Sequence, residues 1–238
     1  VNLKFKIKRA FMRIEEYLSK CGIPRRKVQQ IINEGRVSIN GFTASKNQEL
    51  HDGDEVRIDE SRVIPEKNIY IIFYKPRNVI TTTSPNERPN ILDFIRVRER
   101  IDFAGRLDKD AEGFVFLTND GYVINILTHP KFKVEKEYEV KLNKQFDTRD
   151  FKRINEIVVD GRNINVHVHS INKSRTRLKV LISHGEKHIL KKIFSKLGYR
   201  ISKLKRIRID GFSIGNLRPG EYIFVSKKDV YEKIERYI

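Results

Sequence analysis

Cysteine occurs once, at position 21, so no disulfide can close within the chain, and without a Cys-x-x-Cys pair a thiolate zinc site is excluded as well. Cys21 falls at helical spacing with Ile14, Tyr17 and Leu18 and reads as a small buried core residue. Long apolar runs are also missing. The longest, Ile69 to Tyr74, has six residues, far too few to cross a bilayer, so no membrane partner is expected. The first residues, Val1 to Arg9, are basic but lack the apolar stretch and small-residue cleavage site of a secretion signal, and the expectation is a soluble protein that stays in the cytoplasm. Internal repeats and low-complexity tracts are absent. Acids are scarce relative to bases: 31 Asp and Glu stand against 49 Lys and Arg, giving a formal charge of +18. Such an excess calls for an anionic partner, and with membrane anchoring unsupported, nucleic acid is the first candidate.

The 238 residues are enough for a small domain followed by a medium one. From Met12, the spacing of Ile14, Tyr17, Leu18 and Cys21 predicts a short amphipathic helix ended by Gly22. Pro24 then stands at the start of a second helix carrying Val28, Ile31 and Ile32 inward, with Gly35 as its left-handed cap. Val37 to Ile39, the Asn40-Gly41 turn and Phe42 to Ala44 give a hairpin signal, and Asp52-Gly53 leads into a strand from Glu55 to Ile58. The polar stretch Asp59 to Asn68 reads as a linker. The first domain is therefore placed at residues 12–62 and the second at 68–238.

In the second domain, strand signals at Ile69–Tyr74, Phe114–Leu117, Val134–Leu142, Ile164–Ile171, Leu178–Ile182 and Tyr222–Val225 alternate irregularly with helical ones at Ile91–Val97, Tyr122–Leu127, Thr148–Ile154 and His188–Leu197. The fold class this predicts is α+β, with a mixed, mainly antiparallel sheet. Residues 187–208 hold nine Lys or Arg and no acid, spanning a helix, Gly198 and a strand. Apolar residues interleaved at helical spacing make this segment packed on one side and cationic on the other, a geometry suited to tracking phosphates. His167 and His169 alternate on one strand and share a face, but no third ligand with suitable spacing appears, so no metal site is expected.

The stretch MRIEEYLSKCGIPRRKVQQIINEGRVSINGFTASKNQELHDGDEV closely resembles the small RNA-binding domain first known from a small-subunit ribosomal protein, the S-four-like domain. The resemblance implies that Arg25, Arg26 and Lys27, with Arg36 nearby, face RNA. Cations at the start of a helix oppose its dipole, so they are not there for helix stability.

Residues 105–121, GRLDKDAEGFVFLTNDG, form a loop that delivers Asp108 beside Arg106 and runs into a strand. Read by residues alone, an Arg-x-Asp in a loop is most simply an ion pair or a turn-forming aspartate. The string resembles the signature of the bacterial pseudouridine synthase family that includes RsuA, RluB, RluE and RluF. KPRNVITTTSPNERPNILDFI at 75–95 and EKEYEV at 135–140 make the RluF branch the nearest match. The resemblance implies that Asp108 is the catalytic nucleophile and that Arg106 binds substrate. It implies further that Tyr138 stacks on the base and offers a hydroxyl for proton transfer. In HILKKIFSKLGY at 188–199, Leu190 would wall the base, Lys191 would pair with Asp108, and Lys192 would contact substrate. Ala111 stands where the family usually has Ser or Thr, Phe114 where Leu is common, Ile189 where the RluF-like pattern has Gln, and His188 where it has Arg.

Pseudouridine formation detaches uracil from its ribose, rotates it and rejoins it through carbon five, with no net redox change, so no cofactor is implied. The target base must leave its stack to be reached. The expectation is an enzyme that isomerises a uridine in structured RNA, ribosomal and most simply 23S of the large subunit, working as a monomer. The alternatives are a small-subunit ribosomal RNA or tRNA synthase, or a non-catalytic ribosome-assembly factor. Retention of Asp108, Tyr138 and Lys191 argues against the last, since a pure binder has no use for a carboxylate facing phosphates.

Overall fold

The computed structural model describes residues 12–183, 185–186 and 188–238; the basic N-terminal residues and the cations at the extreme start therefore lie outside the described residues. Contacts divide the chain between Lys67 and Asn68 into two units.

The first unit opens with β1 (Met12–Arg13) and α1 (Ile14–Lys20), whose first turn holds Glu15 and Glu16 and whose last holds Lys20, charges that complement the helix dipole. Then come α2 (Arg25–Asn33), β2 (Val37–Ile39), β3 (Phe42–Thr43), β4 (Glu49–Leu50), β5 (Val56–Ile58) and β6 (Ser61–Arg62). Ile14 and Leu18 from α1 and Val28, Ile31 and Ile32 from α2 pack on Val37, Ile39, Leu50 and Val56 of the strands. Two expectations need correction. Asp59 and Glu60 adopt left-handed backbone and turn the chain back into β6, which pairs with β5, so part of the presumed linker is a strand of the domain. Cys21 lies at the C-terminal cap of α1, half-buried and outside the core; burial and the nearby Glu66 push its thiol up to about 11.

The second unit contains β7 (Tyr70–Lys75), β8 (Asp102–Ala104), β9 (Glu112–Thr118), α3 (Gly121–Thr128), β10 (Lys136–Leu142), α4 (Asp150–Arg153), β11 (Val158–Val159), β12 (Arg162–Asn163), β13 (Val166–Ser170), β14 (Arg177–Ile182), α5 (Ile189–Lys196), β15 (Ile201–Ile209), β16 (Phe212–Ser213), β17 (Tyr222–Phe224) and α6 (Lys227–Ile234). Its main sheet runs β13-β14-β10-β15-β9-β7-β17, with β16 on β15 and β8 on β9. Every pairing is antiparallel except β15 with β9, which gives the mixed, mainly antiparallel sheet expected.

Alternation along the strands sorts residues onto two faces. Ile71, Phe73, Val115 and Leu117 pack on one side with Ile189, Leu190, Ile193 and Phe194 of α5, whereas Tyr70, Ile72, Phe114 and Phe116 pack on the other with α3 and α6. On β10 the same alternation puts Tyr138, Val140 and Leu142 on the α5 side. Tyr138 on β10 and Leu190 on α5 thus share a core cluster.

The helix expected at Ile91–Val97 is one 3-10 turn, Ile91–Asp93: Asn90 and Asp93 form a capping box that satisfies its ends at once, and Ile95 and Ile101 reach the core from irregular chain. Thr148–Ile154 likewise reduces to α4 followed by a 3-10 turn. The helix α6, capped by Ser226 and anchored by Val230 and Ile234, was not anticipated.

Two lysines are buried in the sheet. Burial, reinforced by the nearby Arg206, pushes the Lys136 ammonium down to about 8, and its Nζ donates to Val134 O at 3.0 Å. Between that value and the ordinary 10.5 the unfolded chain binds more protons than the folded one, so stability rises with pH through this window; below it the cost of burying the charge is carried in full. Lys136→Met keeps the stem and removes the charge. The expected outcome is a variant at least as stable as wild type at about pH 7, with the difference shrinking toward about pH 9.5, checked by denaturant melts at both. A Met variant weaker by the same margin at both pH values would contradict it.

Candidate active site

Asp108 lies in the loop between β8 and β9, and the backbone of that loop is fastened at almost every residue. Thr81 Oγ1 donates to Leu107 O at 2.8 Å and accepts from Leu107 N at 3.2 Å. Asn78 N donates to Lys109 O at 2.7 Å. Beneath the loop, the fully buried Lys75 donates to Val79 O at 2.7 Å and Pro76 O at 2.9 Å, with Lys109 O at 3.5 Å. Burial drives this ammonium down to about 8, against the opposing pull of Asp110 and Asp108.

Arg206 is also fully buried and has no carboxylate partner. Its guanidinium spreads over three carbonyls: Nε to Phe114 O at 2.9 Å, Nη2 to Gly105 O at 3.2 Å and Nη1 to Arg106 O at 3.3 Å. This reach depends on Gly113, which faces Arg206 in the parallel register of β9 and β15. Gly113 has φ 110°, and a Cβ there would stand 2.1 Å from Arg206 O, so any side chain would push the two strands apart. Ala111 is fully buried in the same cluster as Leu107, where the hydroxyl of a Ser or Thr would need a partner.

The carboxylate is three-quarters buried and is met from the start of α5. Lys191 Nζ lies 3.0 Å from Asp108 Oδ2, and His188 Nε2 lies 3.1 Å from Oδ1. His188 is the N-cap of α5 in left-handed backbone (φ 58°) and makes no capping hydrogen bond, so its ring is turned toward the loop instead. Three residues on, Lys191 falls on the same side of the helix. Lys191 is shared with a second carboxylate, Asp110 Oδ1 at 2.7 Å. Burial works to lower the Lys191 ammonium, but its hydrogen bonds to Asp110 and Asp108 prevail and hold it above the usual lysine value; the same contact holds Asp110 below the usual carboxylate range.

Leu107 from the loop, Tyr138 from β10, and Ile189 and Leu190 from the start of α5 share one apolar cluster. The Tyr138 hydroxyl has no hydrogen-bond partner among the described residues, and Leu190 is buried. Of the other residues singled out from sequence, Arg106 is exposed and does not pair with Asp108; only its carbonyl is engaged. Lys192 turns away from Asp108 to Asp160 Oδ2 at 2.5 Å. In the first unit, Arg25, Arg26 and Lys27 are exposed on the first turn of α2, while Arg36 is engaged by Asp59 (Nε at 2.8 Å) and Glu34, which raise its guanidinium further.

The basic segment 187–208 also differs from its sequence reading. It holds no acid of its own, but acids distant in sequence meet it: Asp108 and Asp110 at Lys191, Asp160 at Lys192, Glu112 at Lys203 (3.1 Å) and Glu137 at Arg208 (2.7 Å), while Arg206 is interior. Much of its charge is therefore structural. Sequence reasoning missed His188, Asp110, Lys75, Thr81 and Arg206 as parts of the site. A lysine ending the otherwise apolar strand YIIFYK was the one readable sign, for Lys75.

Among the described residues no group of three or more His, Cys, Asp or Glu could hold a metal ion, and no helix is long and apolar enough to cross a membrane.

Residues 69–196 match the family model for RNA pseudouridylate synthase, and residues 12–56 match that of the S4 domain. An uncharacterized RNA pseudouridine synthase of Aquifex aeolicus is 33% identical, over 93% of this chain and 95% of that protein. The dual-specificity RNA pseudouridine synthase RluF of Escherichia coli is 29% identical over 89% of this chain and 74% of its own length, and the RNA pseudouridine synthase YtzG of Bacillus subtilis 30% over 92% and 97%. A crystal structure of a pseudouridylate synthase superposes with a TM-score of 0.67 at 25% identity, covering 94% of this chain and 99% of that one. With an S4 domain ahead of a synthase domain that the family model and relatives match over most of its length, the chain belongs to the RNA pseudouridylate synthase family and is an RNA-modifying isomerase.

Proposed function

We propose that the enzyme isomerises a uridine of ribosomal RNA, in the large subunit, with Asp108 as its nucleophile, Tyr138 and Lys191 as the other groups that touch the reacting nucleotide or the carboxylate, and Leu190 as a wall of the base pocket. The observation that carries this reading is the Asp108 carboxylate held three-quarters buried by Lys191 and His188 beside the Tyr138–Leu190 cluster.

The chemistry is balanced within the substrate. The bond from ribose C1′ to uracil N1 breaks, the base turns, and a bond forms from C1′ to C5; the proton lost from C5 is matched by one gained at N1. Asp108 can carry the sugar as an ester at C1′ or add to the uracil ring while the base rotates. Tyr138, whose hydroxyl has no hydrogen-bond partner among the described residues, is free to stack on the base and to exchange a proton with it. The S-four-like module, with Arg25, Arg26 and Lys27 at the exposed start of α2, supplies phosphate contacts that position the RNA, and the exposed Arg106 contacts the backbone near the flipped nucleotide. Lys192, held by Asp160, lines the same cleft as His188 and Lys191. This reading places the enzyme in the cytoplasm as a monomer.

The test is pseudouridine mapping of total RNA from cells with the gene, without it, and with Asp108→Asn. The expected result is one large-subunit site lost in the deletion and in Asp108→Asn, with the purified Asn variant binding RNA at least as well as wild type, because a negative charge has left an anion-binding surface. A lost site in small-subunit RNA or tRNA would reassign the substrate, and turnover of Asp108→Asn within a few-fold of wild type would remove Asp108 from the chemistry. Lys191→Met should lower the saturating single-turnover rate by roughly tenfold or more, as expected when one charge-assisted contact to a buried carboxylate is lost, while Lys191→Arg retains much of it. Equal rates for Lys191→Met and wild type would make Lys191 a phosphate contact instead.

A further inference from the structure

The contact between Lys191 and Asp108 leaves one degree of freedom open. It is made to a single oxygen, Oδ2, by an ammonium that also bonds Asp110 at 2.7 Å, and the torsion that spins an aspartate carboxylate about Cβ–Cγ is intrinsically broad. A lysine is a point charge and cannot fix a plane. The other oxygen, Oδ1, is met by His188 Nε2 at 3.1 Å. We propose that His188 is a positioning residue of the reaction: its Nε2–H holds Oδ1 while Lys191 holds Oδ2, and the pair fixes the plane in which Asp108 presents its attacking oxygen.

The local backbone suits this role. His188 precedes α5 at φ 58° and ψ 22°, a region that side chains seldom occupy, and its ring makes no capping bond to the helix it begins. The left-handed cap turns the imidazole to the loop, and the helix returns Lys191 to the same side one turn later. The carboxylate oxygen only accepts, so at this 3.1 Å separation the proposed role calls for the proton on Nε2. The other ionisable groups on this cleft are Asp110, Lys191, Lys192, Tyr199 and Arg200. Of these, Lys191 alone also bonds Asp108, and it bonds the other oxygen. Arginine, which the resembling family pattern has at this position, offers an N–H donor of longer reach, so the role of donor survives the change of residue.

The inference rests on Asp108 being the reacting carboxylate, and the experiment separates the two claims. The substrate is total ribosomal RNA from cells lacking the gene, the readout is single-turnover conversion at saturating RNA, and affinity is measured separately by filter binding. His188→Asn and His188→Gly tolerate the left-handed backbone but cannot reach Oδ1; His188→Gln keeps a terminal N–H donor at similar reach. At saturation, the Asn and Gly variants should be slower by about tenfold to a hundredfold, the usual worth of a hydrogen bond to a charged group, with RNA affinity within about twofold of wild type. Gln should recover most of the rate. A merely structural role would not produce that split or that rescue. The proposal is overturned if Asn and Gly turn over at the wild-type rate, if their defect is confined to affinity and vanishes at saturating RNA, or if Gln is no faster than they are. Asp108→Asn measured alongside should be inactive; if it turns over, the reading of the site fails before that of His188, whereas an inactive Asp108→Asn with full-rate His188→Asn overturns His188 alone.

Discussion

A guanidinium without a carboxylate is the constraint on which the site depends. Arg206 sits in the interior of the sheet and meets its charge with three carbonyls, two of them in the loop that carries Asp108. Hydrogen bonds to a charged group are worth about 1.5–3 kcal/mol each, and a buried cation that loses its acceptors has nowhere else to place its charge. The loop is thus drawn onto Arg206 from one side and onto Lys75 and Thr81 from the other, and Asp108 has little freedom left in its backbone. Gly113 belongs to the same constraint, since only a residue without Cβ lets β9 approach β15 closely enough for the guanidinium to reach across.

With the backbone fixed, the side chain is handled by the opposite element. Helix α5 approaches the loop with its N-terminal end, where His188 and Lys191 divide the two carboxylate oxygens, and its apolar stripe Ile189, Leu190, Ile193 and Phe194 seats it on the face that also carries Tyr138. The loop and the helix together bring the Asp108 carboxylate to His188 and Lys191, while Leu107, Tyr138 and Leu190 share one apolar cluster. Asp110 keeps the lysine close: it shares the ammonium while standing more in solvent than Asp108, so Lys191 remains charged and local before RNA arrives.

Much of this was legible from sequence, for definable reasons. The helices of the first unit announce themselves by apolar spacing and by Gly22 and Gly35, and the apolar runs of β7 and β9 announce strands that are buried along their length. Asp108, Tyr138 and Lys191 were singled out by motif resemblance, because nothing in composition separates them from a turn-forming aspartate, a strand tyrosine or a surface lysine. What stayed hidden depends on pairing across distant sequence. The cations of segment 187–208 look unbalanced until Asp108, Asp110, Glu112, Glu137 and Asp160 fold against them, and Arg206 looks like one more surface cation until the parallel pairing with β9 places it indoors. The Ile91–Val97 segment misled for the converse reason, since apolar spacing cannot distinguish a helix from a capped single turn followed by chain that reaches the same core.

The central claim, that a buried guanidinium aims the reacting loop, is tested most directly by the single-turnover rate of Arg206→Lys at saturating RNA, below the melting temperatures of both proteins. Lysine keeps the charge but loses the fork, so it cannot hold Gly105 O, Arg106 O and Phe114 O together. The account predicts a folded enzyme that binds RNA as wild type does and converts it at least tenfold or so more slowly, the usual consequence of a misaligned reacting group. A folded Arg206→Lys enzyme with the wild-type rate would contradict it.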